Sequence, residues 1–258
     1  TPRLSSAASD VYKRQLMSYE IKFFHYSSDS VLISWPAIIS VEISNDIDIF
    51  KSELSDDKKI LEVIKGYNSL LVNFKESIKD YNLVCDFLNK TYRDKEKKES
   101  ENKFIWEIPI CYDLKFAKDM SLYSEKIGLS QEEIVKLHSS KIYFLHMYGF
   151  LPGFMYLGGM DNKLAIKRKE IPDRKILKGS VAIGGNQTGI YPSESPGGWY
   201  VIGNSPLNIF NISKLNEPVE IPVGSYIKFI SVSPDQYYQI QNEIKKGEYE
   251  IIKKKYNG

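Results

Sequence analysis

The sequence predicts a small α+β domain followed by a domain made mainly of short β-strands. Strand and helix patterns alternate before residue 93, which is typical of a compact α+β unit. An almost wholly charged segment follows at 93–103, and beyond it glycine and proline interrupt short strands at regular intervals. A chain of 258 residues is long enough to bury a core in one large domain or in two modest ones.

The first 16 residues are expected to lie outside the native protein. Their stretch SAASDVYKRQ resembles translated adapter sequence, and they lack the apolar run of a signal peptide. Met17 stands directly before the first alternating pattern. We therefore expect the native chain to start at Met17, with a small α/β domain at 17–98 and a second domain at 99–258.

Alternating and helical patterns define the elements of the first domain. Two apolar runs flank a polar turn at 27–30, and two more flank Gly66-Tyr67-Asn68, which indicates two hairpins. Apolar residues at helical spacing follow Asp80. The predicted elements are strands at 19–26, 31–35, 60–65 and 69–74, a helix capped by Asn45 or Asp46 that ends near Leu54, and a helix that starts after Asp80.

The segment 93–103 is predicted to be an exposed linker or loop between the domains. Its residues are almost all charged or polar, so it buries too little apolar surface to offset the entropy of ordering. A solvated extension of the preceding helix is the alternative.

The second domain is predicted to begin with a strand at 104–110 and two helices. The second helix is predicted to begin with a capping box. Ser130 and Glu133 have the spacing at which each side chain accepts a hydrogen bond from the backbone amide of the other residue. A strand is predicted at 141–148, and the short strands up to about residue 232 are typical of a barrel or a sandwich. The lysine- and glutamate-rich end, 239–257, is expected to be a frayed, exposed element.

Composition argues against several classes of partner. A formal net charge of +2 is too small for a nucleic-acid footprint. The longest apolar run, 31–39, is broken by Ser34 and Pro36 and is shorter than the roughly 20 residues of a membrane span. Cys85 and Cys111 lack metal-type spacing, which favours a reducing cytoplasm, with a disulfide between them as the alternative. We expect a cytoplasmic protein with no nucleic-acid or membrane partner.

Familiar catalytic motifs are absent from the sequence. It contains no GxxxxGK[ST] phosphate loop, HExxH, GxSxG or paired CxxC, and GGNQTG lacks the spacing of GxGxxG. His138 is expected near the end of a helix, where an imidazolium would complement the helix dipole, and His146 lies in an apolar strand. Structural or surface roles are expected for these two and for His25, and no residue is assigned to proton transfer.

Two glycine- and proline-rich segments form the candidate binding site. In the first, 149–159, glycines permit close backbone approach while Phe150, Phe154 and Tyr156 supply apolar walls. In the second, 184–199, glycine pairs can turn successive amides towards an anionic oxygen, and Glu194 is the only carboxylate. Barrel corners with aromatic core residues are the alternative. The predicted substrate-binding residues are Gly149, Phe150, Pro152, Gly153, Gly184, Gly185, Gln187, Thr188, Tyr191, Pro192, Ser195, Pro196, Gly197 and Gly198.

Three long motifs resemble those of the family of 5-oxoprolinase B subunits, also called allophanate hydrolase subunit 1 or Kip-type kinase inhibitors. Residues 148–159, YGFLPGFMYLGG, resemble the signature GFxPGFxYLGG. Residues 179–192, GSVAIGGNQTGIYP, resemble GSVxIxGxQTGIYP, and 195–203, SPGGWYVIG, resemble SPGGWxLIGRTP. The likeness covers essentially everything after Met17.

The resemblance implies a cyclophilin-like β-barrel for the second domain and a place in a complex. Family members act with two further 5-oxoprolinase proteins, the C and A subunits, to hydrolyse 5-oxo-L-proline to L-glutamate at the expense of ATP. This implies that the chain is inactive alone. Two alternatives stay open: a Kip-type inhibitor that binds a sporulation histidine kinase, and a carboxyltransferase-like subunit related to urea carboxylase. The chain has no Met-Lys-Met biotin-attachment sequence and so carries no biotin itself.

The chemistry of lactam cleavage gives the second segment a role. Phosphorylation of the unreactive lactam oxygen would create an electrophile, and donors in a dry pocket would stabilise charge on that oxygen. Glycine amides and the side chains of Gln187 and Thr188 are the predicted donors. The chain departs from the family pattern in the shifted basic residues Arg174 and Lys175, and at Asn204, where the family has arginine.

Overall fold

The structure is a computed structural model that describes residues 19–95, 104–214 and 217–256. The described residues fall into two compact units, one before 96–103 and one after it. The predicted leader and most of the predicted linker lie outside the described residues.

The first unit is an antiparallel four-stranded sheet packed against two helices. Leu70, Val72 and Phe74 alternate along one strand, and all three join a core with the helix residues Ile47 and Phe50. The strands are β1 (Lys22–Ser27), β2 (Ser30–Ser34), β3 (Ile60–Lys65) and β4 (Ser69–Phe74), in the sheet order β1-β2-β4-β3, and the helices are α1 (Val41–Ser55) and α2 (Tyr81–Asp94).

Helix α1 starts one turn earlier than predicted. Its N-cap is Ser40, whose hydroxyl accepts a hydrogen bond from the amide of Ile43 at 3.0 Å. The predicted caps, Asn45 and Asp46, lie inside the helix, because the earlier start brings Ile43 into the core. The predicted start of α2 after Asp80 is confirmed, and the Asp80 side chain caps the helix by accepting hydrogen bonds from two amides of its first turn.

The second unit is built on one large sheet and a separate two-stranded ribbon. The strands are β5 (Phe104–Ile110), β6 (Ile142–Tyr148), β7 (Met155–Gly158), β8 (Asp173–Ile176), β9 (Ser180–Gly184), β10 (Gln187–Ile190), β11 (Ser195–Gly197), β12 (Tyr200–Asn204), β13 (Tyr226–Ser231) and β14 (Lys253–Lys255). The large sheet has the strand order β12-β9-β10-β7-β6-β13-β5-β14, and β8 pairs with β11 in the ribbon. Neighbouring strands of the large sheet are antiparallel except for β13 and β5, which are parallel.

Three helices and a short 3₁₀ turn accompany this sheet. The helices are α3 (Met120–Ile127), α4 (Gln131–Ser140) and α5 (Pro234–Lys246), and the 3₁₀ turn is Asn162–Leu164. The predicted capping box of Ser130 and Glu133 is confirmed at the start of α4. The expectation that 239–257 is frayed is wrong, because α5 has its own capping box and β14 pairs with β5.

The large sheet curls so that β12, the strand at one edge, contacts the residue that follows β5. The amide of Cys111, directly after β5, donates to the carbonyl of Asn204 in β12 at 2.9 Å, and the reverse bond measures 3.0 Å. Among the described residues the sheet is otherwise open between β12 and β14. The mixed α/β content that the sequence predicts is confirmed, while the predicted barrel takes the form of a curled, open sheet.

Two apolar clusters lie on the two faces of this sheet. The larger one fills the inside of the curl and includes Val181, Ile183 and Ile190. A smaller cluster lies on the other face of β9, β10 and β12, because side chains of a strand point alternately to opposite faces. Its buried members are Phe154, Ile176, Ala182, Tyr191, Trp199 and Val201.

The structure also bears on the cysteines and on membrane-spanning helices. Cys85 and Cys111 are both free thiols, so the alternative of a disulfide between them is wrong. Within the described ranges, no helix has the length and apolarity needed to cross a lipid bilayer.

Candidate functional site

A cavity of about 430 Å³ opens beside the smaller apolar cluster. Three segments line it, at 150–156, 168–172 and 191–199, and the sheet holds the first and third of them together. The lining residues are Phe150, Leu151, Phe154, Tyr156, Arg168, Pro172, Tyr191, Ser195, Pro196, Gly197, Gly198 and Trp199. We call this cavity the aromatic pocket.

Phe154 is the centre of the aromatic wall. Its ring makes edge-to-face contacts at centroid distances of 4.9 Å with Tyr156 and Tyr191, 5.5 Å with Trp199 and 5.6 Å with Phe150. Such contacts add to the stabilisation that burial itself supplies. The wall is therefore a rigid surface against which a planar ligand can pack.

Glycine in β9 makes room for the indole of Trp199. A Cβ atom at Gly184 would stand 2.5 Å from Cδ1 of Trp199, closer than such contacts allow. Gly184 is buried and lies on the same face of β9 as Ala182, a member of the smaller apolar cluster. The absence of a side chain at Gly184 therefore leaves the space that the indole occupies.

Phe150 is held in an unfavourable backbone conformation at the mouth of the aromatic pocket. Its φ is +64°, the left-handed region that bulky side chains rarely adopt, and its side chain is 61% exposed. Strain of this kind persists where the surrounding structure enforces it, and it is concentrated at functional sites. The strained residue places an aromatic ring over the pocket entrance.

Residues 166–169 form a strap across one side of the aromatic pocket. The strap is tied to the two ends of the predicted glycine segment by main-chain hydrogen bonds. Gly185 exchanges two bonds with Ile166, at 2.7 and 3.0 Å, and the amide of Lys169 donates to the carbonyl of Gly198 at 2.8 Å. The glycine segment therefore fixes the position of Arg168, which lies between these ties.

Lys169 holds the strap in place through two ion pairs. Its ammonium group lies 2.8 Å from the carboxylate of Asp119 and 2.7 Å from that of Asp173, and the side chains of Lys169 and Asp119 are largely buried. Asp119 also accepts the amide of Val201 at 2.8 Å. Two carboxylates raise the pKa of Lys169 against the opposing effect of its burial.

Arg168 brings a positive charge to the aromatic pocket. Its guanidinium carbon lies 5.6 Å from the centroid of the Trp199 ring, a cation–π contact. Within the part of the chain that the structure describes, it has no carboxylate at ion-pair distance. A cation beside an aromatic wall, without a protein counter-charge, suits a small planar anion.

The tyrosines of the aromatic pocket are neutral hydroxyl donors. Burial raises the pKa of Tyr191 to about 12, and the Arg168 guanidinium opposes this shift. Burial also raises the pKa of Tyr156, again opposed by Arg168. Both hydroxyls therefore keep their protons at neutral pH.

The structure brings fewer than half of the predicted binding residues to the aromatic pocket. Those that line it are Phe150, Tyr191, Ser195, Pro196, Gly197 and Gly198. Those that do not are Gly149, Pro152, Gly153, Gly184, Gly185, Gln187, Thr188 and Pro192. Ligand binding by any of these residues stays a prediction.

Gln187 and Thr188 have different surroundings because they are neighbours on one strand. The Thr188 hydroxyl is fully buried, 2.9 Å from Nε2 of His138 and 3.2 Å from the Ala182 carbonyl. Gln187 is half-buried and pairs with Gly184, on the face that carries the aromatic pocket. Of the two predicted side-chain donors, only Gln187 faces the side of the sheet where a ligand could lie.

His138 is an interior residue with neutral hydrogen-bond partners. Its Nδ1 lies 2.7 Å from the Tyr112 hydroxyl, and its ring stacks on Phe229 at 4.6 Å. Complete burial lowers the pKa of His138 to about 3. The expected imidazolium is therefore wrong, because the ring lies inside the curled sheet instead of at the surface of α4.

Three further observations limit the site's chemistry. Glu194, the carboxylate of the predicted segment, pairs with Lys175 at 2.8 Å, and both side chains are exposed. Among the described residues no cluster of His, Cys, Asp or Glu could hold a metal ion. The described residues that line the pocket include no Asp, Glu, His, Cys or Lys. The aromatic pocket can therefore bind and orient a ligand, but its lining offers no carboxylate or imidazole as a general base.

Sequence reasoning did not assign Arg168 or Pro172 to the site. The signal for Arg168 is the run Lys167-Arg168-Lys169, which stands 16 residues before Gly184 and has the composition of an ordinary exposed loop. Leu151, Phe154, Tyr156 and Trp199 belong to the quoted motifs but were not among the predicted binding residues.

Comparison with known proteins identifies relatives along most of the chain. The family model of the carboxyltransferase domain, subdomain C and D, matches residues 21–220. The chain is 35% identical over 194 residues to the 5-oxoprolinase B subunit of Bacillus subtilis (strain 168), a match that covers 71% of this chain and 80% of that protein. It is 33% identical over 204 residues to the 5-oxoprolinase B subunit of Haemophilus influenzae, covering 79% of this chain and 94% of that one.

A solved structure shares the fold at low sequence identity. The Kluyveromyces lactis urea carboxylase matches with a TM-score of 0.78 over 94% of this chain and 24% of its own length. At 14% identity this likeness shows the fold alone.

Proposed function

This chain belongs to the carboxyltransferase domain family, subdomain C and D, and to the family of 5-oxoprolinase B subunits, and we propose that it acts as the B subunit of an ATP-dependent 5-oxoprolinase. The complex would hydrolyse 5-oxo-L-proline to L-glutamate in the cytoplasm, and its other members would be homologues of the C and A subunits. We also infer that the curled sheet corresponds to the cyclophilin-like barrel of the family.

The aromatic pocket with the cation of Arg168 is the observation that carries this proposal. 5-Oxo-L-proline has a nearly flat lactam ring and one carboxylate. The ring would pack on the wall formed by Phe154 and Trp199, and the carboxylate would accept two parallel hydrogen bonds from the Arg168 guanidinium. A cavity of about 430 Å³ holds such a ligand and leaves room for a second group beside the lactam carbonyl.

Neutral donors near the aromatic wall would act on the lactam oxygen. Tyr191 belongs to the pocket lining and keeps its hydroxyl proton, and a donor aimed at an oxygen that gains negative charge stabilises the transition state. Ser195 also lines the pocket, and its hydroxyl would have to turn away from the Pro196 carbonyl, to which it donates at 3.1 Å, before it could act on a ligand. Gln187, whose strand partner is Gly184, lies on the same face of the sheet and stays a predicted donor, which Gln187→Ala would test.

Reaction needs groups that this pocket does not contain. Opening of the lactam requires water to reach the carbonyl carbon, a proton to reach the leaving nitrogen, and ATP to supply the driving force. The lining has no general base, which supports a division of labour in which this chain binds the substrate and its partners in the complex supply the missing groups.

Reconstitution tests the proposal. The chain is co-expressed with the homologue of the C subunit, and ATP hydrolysis and glutamate formation are measured with and without the A subunit. We expect both only in the presence of 5-oxo-L-proline and of all three proteins. Inhibition of a histidine kinase, or dependence on a biotin carrier protein, would instead support the regulatory or the carboxyltransferase alternative.

A further inference from the structure

A second cavity lies on the other side of the strap and is lined by basic side chains. It has a volume of about 800 Å³. We call it the basic groove. Its cations are Lys126, Lys163, Lys167, Arg168 and Lys169, and Glu170 is the only carboxylate among the described residues that line it.

Most of these cations have no partner that neutralises them. Lys169 is bound by Asp119 and Asp173. Lys126, Lys167 and Arg168 have no ion-pair partner within the described ranges. An anion that enters the basic groove therefore meets cations whose charge is not already balanced by an ion pair.

Lys163 is the cation with acidic neighbours. A hydrogen bond from the amide of Ser130 lowers the pKa of Glu133, and one from the amide of Lys163 lowers the pKa of Asp161; the charge of Lys163 adds a smaller effect in the same direction to both. Each of these carboxylates already has other partners, however: Glu133 closes the capping box of α4, and Asp161 pairs with Lys141 at 3.3 Å. Lys163 therefore keeps hydrogen-bonding capacity for a ligand, since an ammonium group has three donors.

The cations come from separate elements that converge on one space. Lys126 lies in the last turn of α3, Lys163 in the 3₁₀ turn, and Lys167 and Arg168 on the strap. Ile127 and Tyr200 add apolar surface to the lining. This combination of several point charges with an apolar surface suits a short chain of phosphates that carries an aromatic base.

We propose that the basic groove binds the polyphosphate of a nucleoside triphosphate. A nucleic acid is a poorer candidate, because the net charge of the whole chain is only +2 and the basic residues gather in one compact hollow. Arg168 lines both cavities, so the end of the basic groove at Arg168 adjoins the aromatic pocket. The identity of the nucleotide as ATP rests on the proposed function, whereas the affinity for polyphosphate does not.

Direct binding to the purified full chain tests this inference. Calorimetric titrations use ATP, inorganic tripolyphosphate and adenosine as separate probes, at about 50 mM and about 200 mM salt. The test variant carries Lys126→Gln, Lys163→Gln and Lys167→Gln. The control carries Lys214→Gln, Lys245→Gln and Lys253→Gln. All six lysines are exposed, so both variants are expected to fold, and both lose the same formal charge.

We expect ATP and tripolyphosphate to bind saturably, more weakly at the higher salt, and adenosine to bind far less. The affinity for both anions should fall by about tenfold or more in the test variant, and by less than about twofold in the control. The inference is overturned if neither anion binds, if both variants weaken binding equally, or if adenosine binds as well as ATP while tripolyphosphate does not bind. If the test variant loses ATP binding and the control keeps it, the proposal that the basic groove binds polyphosphate is supported. This result holds even if the complex does not turn over 5-oxo-L-proline.

Discussion

The guanidinium carbon of Arg168 lies 5.6 Å from the ring centroid of Trp199, although the two residues stand 31 positions apart in the chain. The contact exists because the strap is bonded to the main chain on both sides, at Gly185 and at Gly198. The same bonds place Arg168 between the aromatic pocket and the basic groove. The position of this one cation therefore depends directly on the integrity of the strap.

Asp119→Asn should loosen the strap without changing the pocket lining. The variant removes the charge that holds Lys169 at 2.8 Å but keeps the shape of the side chain. Because Lys169 retains Asp173, we expect a loss of about 1–3 kcal/mol in the free energy of unfolding, together with a raised KM for 5-oxo-L-proline. Urea unfolding and steady-state kinetics of the reconstituted complex measure the two effects.

Lys175→Gln is the matched control for Asp119→Asn. It breaks the exposed ion pair with Glu194, which should change stability by less than about 0.5 kcal/mol and leave the KM unaltered. Equal losses in the two variants would show that burial of the Asp119–Lys169 pair has no special role.

Gly184→Ala should displace the indole of Trp199. The new methyl group would stand 2.5 Å from the ring, and relief of such overpacking typically costs about 1–3 kcal/mol. We expect an altered near-ultraviolet circular dichroism spectrum and weaker binding of 5-oxo-L-proline. Gly224→Ala, at a positive φ with no atom within 4 Å, should lose only about 1 kcal/mol and keep the spectrum.

Phe150→Gly should separate stability from binding. Glycine adopts the observed φ of +64° without strain, and this relief offsets both the lost ring contact with Phe154 and the greater chain entropy of glycine, so stability should change by less than about 1 kcal/mol. Affinity for 5-oxo-L-proline should fall, because the ring at the pocket mouth is lost. A variant that is both less stable and equally active would contradict a functional reason for the strain.

His138 should make stability depend on pH between about 4 and 7. Burial lowers the pKa of His138 in the folded protein to about 3, whereas the unfolded chain takes up the proton near its ordinary value of about 6.5. The unfolded state therefore binds more protons in this window, and stability falls as the pH falls. From pH 7 to pH 5 the contribution of His138 amounts to about 2 kcal/mol.

Two variants isolate the effect of His138. His138→Gln should remove most of this pH dependence, as measured by urea unfolding at the two pH values. Thr188→Val deletes a hydrogen-bond partner of the ring and should cost about 1 kcal/mol at both pH values while the slope persists. A slope that is the same with and without His138 would place the titration elsewhere.

The neighbourhood of the site could be predicted from sequence because its glycines obey local constraints. Gly184 seats Trp199, and Gly197 leaves no room for a Cβ beside the Tyr191 hydroxyl. Such requirements are expressed within a short stretch of chain. Helix caps are equally local, which explains why the capping box at Ser130 is predicted correctly.

The rest depends on relationships that no short stretch contains. Thr188 faces the interior and Gln187 the other side only because β10 pairs with β9 in one register, and a shift of one residue would exchange them. Arg168 belongs to the site through bonds to Gly185 and Gly198. The sequence around His138 likewise does not reveal that the curled sheet encloses it.

The concentration dependence of 5-oxo-L-proline turnover, in complexes that contain the wild-type chain, Arg168→Lys or Arg168→Gln, tests the role of the aromatic pocket most directly. ATP is kept saturating for each complex, so that only substrate recognition in the aromatic pocket is compared. We predict a KM that rises about tenfold or more for Arg168→Gln, equivalent to one charge-assisted hydrogen bond, and a smaller rise for Arg168→Lys. An unchanged KM in both variants would contradict the claim that Arg168 holds the substrate carboxylate.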